Sequence, residues 1–341
     1  MTERSRGLLL LDGGQVSDLL CDREREILEV IERAYRAHDR GSTMMPENSY
    51  LRFPGMDKER IIAKIAYLGH GFDVAGIKWI SSFPNNVAMH LERASATVVL
   101  NSTQTGHPSA ILEGSVISAK RTAASAALAA ERLWHGDPAM SVGMVGCGLI
   151  NFETLRFLLT CFPDLEAVSL LDLSRERAEQ FADKAKRLKT NLRVGVAGSF
   201  AELSRTSQIV SMATTEVTPH IDSLSSEALV LHISVRDLTP DVILEADNVV
   251  DDVDQVCSNN TSLHLAESRV GHREFIRCTL GEILNGSASA QGAAERPTIF
   301  TPFGLGVLDV ALAQLTATLA EDQGIGTRMP SFAPRPWLER T

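Results

Sequence analysis

Two glycines in the stretch "MSVGMVGCGLINFETLRFL" (residues 140–158) have the spacing of a loop that binds a nucleotide. Gly146 and Gly148 follow an apolar run that is typical of a buried strand, and they precede an amphipathic helix. In such a unit the first glycine makes the turn and the second lets the backbone approach a pyrophosphate, which the helix N-terminus attracts. The pattern therefore predicts a dinucleotide-binding loop. The alternative is a strand that simply continues into a helix.

Asn151 stands where the dinucleotide fingerprint has its third glycine, the one that eases packing between helix and strand. This replacement predicts a less close approach of helix to strand and leaves the anion site intact. A second strand ends at Asp172, where an acid would accept hydrogen bonds from ribose hydroxyls. A carboxylate there repels the 2′-phosphate of NADP, so the sequence predicts NAD as the cofactor. The alternative is that Asp172 is only a neighbour of a helix N-cap.

The other reactive or metal-binding side chains favour structural roles. The acids of "DDVDQ" (251–255) follow a strand end, where a solvated loop is the more common arrangement and a cation site the alternative. His220 and His232 lack partners at ligand spacing, so we expect no metal. Cys147, inside the glycine loop, is expected to fill space rather than to act as a nucleophile.

The elements that precede the loop predict an α+β arrangement. "DREREILEVIERAYRAHDRG" places Ile27, Ile31, Ala34 and Tyr35 on one helical stripe. Residues from roughly 60 to 115 contain β-branched runs separated by two turns, which predicts antiparallel sheet. "SVISAKRTAASAALAAERLW" then predicts a long, closely packed helix of small residues.

From Ser141 onward the pattern changes to alternating strands and helices. The strands "SVGMVG", "AVSLLDLS", "NLRVGVA", "SQIVSMATT" and "ALVLHISV" predict a parallel, doubly wound Rossmann sheet. Near "PTIFTPFGLGVLDVALAQLTATLAED" the pattern returns to a long apolar helix, which is expected to cross back to the first domain. The predicted fold class is therefore α/β: a Rossmann doubly wound parallel sheet plus an α+β substrate-binding and dimerisation domain with antiparallel sheet. We expect the latter to be formed by residues 1–122 and 305–341, and the Rossmann domain by residues 123–304.

Length and composition agree with a soluble protein of two domains. The chain has 341 residues, of which 44% are hydrophobic and 22% charged. The formal net charge of −10 disfavours a general nucleic-acid or acidic-membrane surface. Five cysteines at wide spacings, without a CxxC pair, indicate neither a disulfide framework nor a zinc knuckle. The apolar run before Asp12 is too short for a signal peptide, so we expect a cytoplasmic protein.

Three stretches together resemble the ornithine cyclodeaminase/mu-crystallin family. They are "GIKWISSFPNN", "LERASATVVLNSTQTGHPSAILEGSVISAKRTAASAALAA" and "VGMVGCGLINFETLRFL", and "LHISVRDLTPDVI" and "FTPFGLGVLDVALA" continue the similarity. Within the family the sequence is most similar to the branch that makes 2,3-diaminopropionate, including the asparagine of "GCGLINFE". The resemblance implies a homodimer, an NAD-binding Rossmann domain and oxidation of an amino-acid amine.

The resemblance also implies roles for single residues. Lys78 in "GIKW" matches the lysine that binds the substrate carboxylate, and Arg121 matches the arginine placed between substrate and cofactor. Asp237 in "SVRDL" matches the catalytic acid/base, which would accept the amine proton and stabilise the iminium cation. Where the cyclodeaminases have a serine in the last glycine motif, this chain has Pro302. Without the resemblance, Lys78 and Arg121 would be interpreted as surface cations and Asp237 as a helix cap.

Additional residues complete the predicted site. Arg52 in "SYLRF" is the candidate for the early substrate arginine of the cyclodeaminases, and Arg93 and Arg236 are further cations expected near a substrate with three carboxylates. The residues expected to bind the cofactor are Arg121, Thr122, Gly146, Gly148, Leu149, Ile150, Asp172, Thr214, Ser234, Val235 and Arg236.

The expected reaction is NAD-dependent oxidative cleavage of N-(2-amino-2-carboxyethyl)-L-glutamate to 2,3-diaminopropionate and 2-oxoglutarate. The product would serve siderophore or peptide-antibiotic biosynthesis. The alternatives are an ornithine cyclodeaminase, an alanine dehydrogenase or a ketimine reductase, and a mu-crystallin-like protein that binds the dinucleotide without turnover.

Overall fold

The computed structural model describes residues 7–136, 138, 140–292, 295–330, 332–334 and 337–339. The strands are β1 (Leu8–Leu11), β2 (Thr43–Met44), β3 (Ser49–Phe53), β4 (Met56–Leu68), β5 (Val74–Ser82), β6 (Ala94–Ser102), β7 (Pro108–Glu113), β8 (Ser141–Val145), β9 (Ala167–Leu171), β10 (Arg193–Val196), β11 (Ile209–Met212), β12 (Leu229–His232), β13 (Asp247–Val250), β14 (Ile276–Thr279), β15 (Thr298–Thr301) and β16 (Thr327–Met329).

The α-helices complete the set of regular elements. They are α1 (Gly13–Leu19), α2 (Glu24–Asp39), α3 (Ser115–Leu133), α4 (Leu149–Cys161), α5 (Arg175–Ala185), α6 (Phe200–Arg205), α7 (Pro240–Glu245), α8 (Val253–Val256), α9 (Ser262–Val270), α10 (Leu280–Asn285) and α11 (Gly306–Gln323). None of the helices in the described part of the chain combines the length and the apolar character that crossing a membrane requires.

Contacts between residues divide the chain into two units. Unit 1 contains the residues up to Arg121 and those from Gly306 onward, and unit 2 is Thr122–Leu305. These boundaries fall one residue from the predicted domain boundaries at 122/123 and 304/305. The C-terminal helix α11 belongs to unit 1.

Unit 1 is built on one mixed sheet with the strand order β16-β1-β7-β6-β5-β4-β2, and β3 also pairs with β4. The hairpins β4–β5 and β6–β7 confirm the antiparallel sheet predicted for residues 60 to 115. Strands β2 and β3 of the same chain pair along most of the outer side of β4, and β1 pairs with β7.

Two helices of unit 1 pack as their patterns require. Helix α2 buries Ile27, Ile31, Ala34 and Tyr35, as its apolar stripe predicts. Helix α11 contacts β4, β5 and β6 as well as α2. It approaches the sheet closely at Gly76, where an added Cβ would lie 3.2 Å from Val310 Cγ2 of α11.

Unit 2 contains a sheet whose strands all run parallel, in the order β10-β9-β8-β11-β12-β15-β13-β14. The order reverses at β8, from which the chain proceeds outward in both directions. This arrangement confirms the doubly wound fold, whose ligand crevice lies at the carboxyl ends of the strands where the order reverses. Residues 298–301 form the last strand along the chain, β15, and the long apolar helix α11 begins at Gly306.

Candidate active site

The glycine loop lies at this reversal point, between β8 and α4. Gly146 has φ +88°, and an added Cβ would lie 2.6 Å from the Ala213 carbonyl oxygen, so only glycine fits the turn. Gly148 is the N-cap of α4 and provides no side-chain cap for the helix. A Cβ added there would meet no described atom within 4 Å. The first turn of α4 therefore has free N–H groups and open space beside them, as a bound pyrophosphate requires.

Asn151 does more than replace the third glycine. Its side chain is buried, and its Nδ2 donates to the carbonyl oxygens of Val145 (2.9 Å) and Gly146 (2.7 Å). Its Oδ1 accepts from Ser211 Oγ at 2.7 Å. We expected this asparagine only to keep the helix farther from the strand. Instead it joins the glycine loop, β8 and β11 by side-chain hydrogen bonds.

Asp172, which directly follows β9, binds the backbone of the glycine loop. Its Oδ2 accepts from the backbone N–H of Cys147 at 2.7 Å, and its Oδ1 accepts from that of Ser174 at 2.8 Å. The bond to Ser174, which is the N-cap of α5, matches the alternative interpretation of Asp172 as a neighbour of a cap. The bond to Cys147 places the same carboxylate at the glycine loop. The next residue, Leu173, is fully exposed and offers an apolar surface at this point.

Asp237 is buried and held by hydroxyl groups from neighbouring strand ends. Its Oδ1 accepts from Thr214 Oγ1 at 2.5 Å, and its Oδ2 accepts a short hydrogen bond from Ser234 Oγ. Burial raises the pKa of this carboxyl, but hydrogen bonds and charge from His232, with Ser234 and Thr214, outweigh burial and hold the pKa at about 2. Asp237 is therefore ionised at neutral pH. Thr214 and Ser234, predicted to bind the cofactor, lie against the predicted acid/base.

His232 is a partner of Asp237 that the sequence did not reveal. Its Nε2 accepts from the backbone N–H of Asp237 at 3.2 Å and lies 3.5 Å from Asp237 Oδ2. Its Nδ1 lies 3.4 Å from Thr301 Oγ1. These contacts come through the turn after β12 and from β15, and the spacing of residues in the sequence does not show them.

The turn that presents Asp237 has a strained backbone. Val235 adopts φ +61°, a conformation that β-branched residues rarely take. Its carbonyl oxygen accepts from the N–H of Ser262, which fixes the turn. Arg236, expected to contact substrate or cofactor, donates from Nη2 to the carbonyl oxygen of Asn259 at 2.8 Å. The turn thus directs the Asp237 carboxylate inward at the cost of local strain.

In unit 1, Lys78 and Arg121 meet at a carboxylate that was not anticipated, that of Asp309 on α11. Lys78 Nζ lies 2.8 Å from both carboxylate oxygens and donates to Ser118 Oγ at 3.0 Å. Arg121 Nε donates to Asp309 Oδ1 at 2.9 Å. The side chain of Arg121 is 9% exposed, those of Lys78 and Asp309 1% and 0%. The structure therefore brings the two predicted substrate cations together.

Electrostatics in this cluster favour an ionised carboxylate and weaken the charge on the lysine. Burial lowers the pKa of Lys78 to about 7, although Asp309 opposes this shift. Burial raises the pKa of Asp309, but Arg121 and Lys78 outweigh burial, so its pKa is lowered. The sequence contained one signal for Asp309: it is the only charged residue in the first fifteen residues of an otherwise apolar helix.

Arg52 on β3 and Arg93, just before β6, lie beside the end of the β4–β5 hairpin that contains Arg60 and Ser82. Arg52 is directly opposite Arg60 in the β3–β4 ladder, and its guanidinium lies 5.8 Å from the centre of the Tyr50 ring. Arg93 donates to Ser82 Oγ at 2.9 Å. Burial and the nearby charge of Arg60 lower the pKa of Arg93. These arginines form a second group of positive charges, four residues along β4 and β5 from Lys78.

The remaining candidates have ordinary surroundings. Leu149 and Ile150 form the first turn of α4, and Thr122 lies on α3. Burial raises the pKa of Cys147 to about 12, so its thiol fills space as expected. In "DDVDQ", Asp251 accepts from the N–H groups of Phe303 and Gly304. That carboxylate has a structural role in the turn before α11.

The two clusters support complementary chemistry. A buried pair of cations in unit 1 can bind a carboxylate, since hydrogen bonds between charged groups are strong in a dry environment. In unit 2, the loop geometry at Gly148 and the carboxylate at Asp172 fit a dinucleotide. An ionised Asp237 can accept a proton or stabilise a developing cation. Each unit by itself supplies one requirement for the oxidation of an amino acid: carboxylate binding in unit 1, and dinucleotide binding with a buried carboxylate in unit 2.

Comparison with known proteins covers both units. The model of the ornithine cyclodeaminase/mu-crystallin family matches residues 19–323. The chain is 27% identical over 333 residues to N-((2S)-2-amino-2-carboxyethyl)-L-glutamate dehydrogenase of Staphylococcus aureus, covering 95% of this chain and 99% of that protein.

Two solved structures have a similar fold. One is Thermococcus litoralis Δ1-pyrroline-2-carboxylate reductase in complex with NADH and L-proline, with a TM-score of 0.87 and 22% identity, covering 94% of this chain and 100% of that one. The other is an archaeal alanine dehydrogenase dimer with bound NAD, with a TM-score of 0.85 and 25% identity, covering 94% and 98%.

Proposed function

This chain belongs to the ornithine cyclodeaminase/mu-crystallin family, and we propose that it cleaves N-(2-amino-2-carboxyethyl)-L-glutamate oxidatively to 2,3-diaminopropionate and 2-oxoglutarate. It is an NAD-dependent enzyme that acts on an amino-acid amine. In the proposal, the diamine supplies a cytoplasmic pathway to a siderophore or a peptide antibiotic.

The observation that carries the substrate proposal is a local excess of cations around Lys78. Lys78 and Arg121 share the single carboxylate of Asp309, Arg60 lies four residues farther along β4, and Arg52 and Arg93 lie beside that end of the β4–β5 hairpin. The proposed substrate has three carboxylates, so it supplies the negative charge that such a set of cations would bind. Ornithine has one carboxylate and a distal ammonium group, which these cations would repel.

Each residue of the site has its own role in the proposed reaction. Lys78 and Arg121 bind a substrate carboxylate and orient the amine. Asp237 accepts the amine proton and stabilises the positive charge of the iminium ion that oxidation produces. The same carboxyl then activates the water that attacks the imine carbon, after which the carbon–nitrogen bond breaks. The glycine loop and Asp172 would hold NAD, which supplies the two-electron acceptor.

The test of this proposal is a coupled measurement of products. Incubation of the purified protein with the condensed substrate and NAD should give one 2-oxoglutarate for each NADH, followed by absorbance and by an enzymatic assay of 2-oxoglutarate. Lys78→Ala should raise KM strongly, since a hydrogen bond between charged groups contributes roughly 1.5–3 kcal/mol. Formation of proline and ammonia from ornithine at a comparable rate would overturn the proposal and favour a cyclodeaminase.

A binding protein without turnover is the candidate from another class. Asp237 is fully buried, ionised and held by three side chains. Ionising a buried carboxylate is costly, and a site that only binds a dinucleotide does not require a charged carboxylate here. The ionised Asp237 therefore favours an enzyme over a binding protein. Absence of NADH formation with every amino acid of the family, together with tight NAD binding, would support the binding protein instead.

We further propose that the protein is a homodimer. On the face of the sheet opposite Lys78, the large side chains of Met44, Ile65, Tyr67 and Trp79 are exposed. Here a concavity of about 400 Å³ is lined mainly by apolar groups of β2, β4 and β5. An exposed apolar surface of this kind is typical of a contact with another protein, and a relative of known structure is described as a dimer.

A further inference from the structure

The peptide group between Gly146 and Cys147 is held at both of its ends. Its carbonyl oxygen, on Gly146, accepts from Asn151 Nδ2 at 2.7 Å, and its N–H, on Cys147, donates to Asp172 Oδ2 at 2.7 Å. The C=O and N–H bonds of a trans peptide point in opposite directions, so fixing one of them fixes the other. This peptide of the glycine loop therefore connects the Asn151 side chain to the Asp172 carboxylate.

The amide of Asn151 has one orientation that suits its surroundings. Its side chain is fully buried, and its Oδ1 accepts from the hydroxyl of Ser211, a buried residue of β11, at 2.7 Å. Its Nδ2 faces two carbonyl oxygens, those of Val145 and Gly146. A flipped amide would turn its oxygen toward these carbonyl oxygens, which cannot donate a hydrogen bond. Ser211 and the two carbonyl groups thus fix the direction in which Nδ2 points.

A glycine at position 151, as in the dinucleotide fingerprint, could not make these bonds. Packing of helix α4 on the sheet would be served by a glycine or by a small apolar residue, and burial of an amide is costly unless the amide is hydrogen-bonded. The bonds of the Asn151 side chain go to the loop backbone and to Ser211. The asparagine therefore orients the loop in addition to filling the space beneath it.

We infer that Asn151 is a positioning residue for NAD: it orients the Gly146–Cys147 peptide and, through that peptide, the carboxylate of Asp172. Its effect extends to both groups of the dinucleotide that this region is proposed to bind, the pyrophosphate and the ribose of the adenosine. The inference rests on the proposal that the glycine loop and Asp172 hold NAD. It does not depend on the identity of the substrate.

The experiment measures the dissociation constants of NADH and NADPH for the full-length protein without substrate, by titration of nicotinamide fluorescence. The unchanged protein should bind NADH more tightly than NADPH. Asn151→Ala should weaken NADH binding at least about tenfold, the scale expected when a buried carbonyl group loses its donor. It should also reduce the ratio of the NADPH and NADH dissociation constants toward that of Asp172→Ser, because Asp172 is no longer held where it repels the 2′-phosphate.

Two further variants make the result specific. Ser211→Ala removes the donor to Asn151 Oδ1 from a different strand, so it should change both quantities in the same direction by a smaller factor. Thr154→Val is the matched control, because Thr154 is equally buried on α4 and its hydroxyl donates to the Ile150 carbonyl oxygen of its own helix. It should leave both dissociation constants unchanged. Thermal denaturation without cofactor, followed by circular dichroism, identifies the variants that are folded.

Two results would overturn the inference. They are a folded Asn151→Ala protein that keeps its affinity for NADH, and one that loses affinity for NADH and NADPH by the same factor, in which case Asn151 would not act on Asp172. Should Asn151→Ala fail to fold, Ser211→Ala decides on the same two measurements. Failure of the proposed cofactor site would look different, since Asp172→Ser would then leave both dissociation constants unchanged. Failure of the proposed cleavage reaction would alter none of these binding measurements.

Discussion

At the scale of single residues, Asp237 combines a very low pKa with complete burial. A carboxylate with a pKa of about 2 is a weak base, so besides accepting the amine proton it is expected to contribute its negative charge beside the iminium cation. Substitution by asparagine keeps the shape and removes the charge. Asp237→Asn should therefore bind NAD normally and reduce kcat at least about 10²-fold, the usual scale for loss of such a group.

The control for this variant is NAD affinity, measured by fluorescence titration. Retained affinity shows that the turn of Val235 and the contacts of Thr214 and Ser234 survive the substitution. Near-normal kcat with the condensed substrate would show that Asp237 only fixes the turn and that another group serves the amine.

The lowered pKa of Lys78 predicts that kcat/KM depends on pH. A lysine is charged below its pKa, and burial lowers the pKa of Lys78 to about 7. The value of kcat/KM, which reports on the free enzyme, should therefore fall as the pH rises through about 7. Lys78→Arg should remove this alkaline decrease, because a guanidinium stays charged throughout the range.

Asp309→Asn should shift the pKa of Lys78 instead of removing its titration. It removes the carboxylate that raises the pKa of Lys78, so the decrease in kcat/KM should move to lower pH. Far-ultraviolet circular dichroism would show that the variant is folded. An alkaline decrease that stays at the same pH in both variants would mean that a different group titrates.

At the scale of elements, the glycine loop and the end of β9 act as one structure. Asp172 accepts backbone hydrogen bonds from Cys147 in the loop and Ser174 at the start of α5. Its charge should favour the ribose hydroxyls of NAD and repel the 2′-phosphate of NADP. Asp172→Ser should narrow the ratio of kcat/KM values for the two cofactors, and Asp164→Ser, an exposed acid before β9, is the matched control. Equal use of both cofactors by the unchanged protein would contradict this assignment.

The elements that sequence alone predicted share one property: each has a period or a turn signal that is visible locally. Helix α2 has an apolar stripe, and the hairpins β4–β5 and β6–β7 have glycine-containing turns. Strands β13, β14 and β15 have four residues each and do not show a period of their own. Strand β1 is a run of four leucines that is also too short to identify from its pattern.

The residues that were missed depend on distant partners. Lys78 and Asp309 are 231 positions apart in the sequence, and His232 and Thr301 are 69 apart. A lysine such as Lys78 on a strand has the same local pattern whether it is buried or solvated. Burial of these charges is decided by the packing of α11 and the insertion of β15, which no local pattern shows.

At the scale of the whole molecule, assembly depends on the exposed face of unit 1. Light scattering at micromolar concentration should give twice the 37.1 kDa mass of one chain. Ile65→Glu places a charge on the apolar face and should yield monomers, because burying an unpaired carboxylate is costly. Val196→Glu, which changes an exposed apolar residue of β10, should leave the assembly unchanged. A stable monomer of the unchanged protein would contradict the homodimer.

The position of α11 has a consequence for how the protein is made. Ribosomes release the chain from its N-terminus, yet the sheet of unit 1 is covered by a helix that begins at Gly306, and its edge strand β16 comes later still. Until almost the whole chain has emerged, a nascent unit 1 lacks the helix that covers Gly76 and supplies Asp309 to Lys78. A chain that terminates after Leu305 would present this apolar and cationic surface to chaperones and proteases. We therefore expect nonsense variants late in the gene to be degraded rather than to accumulate as partly active protein.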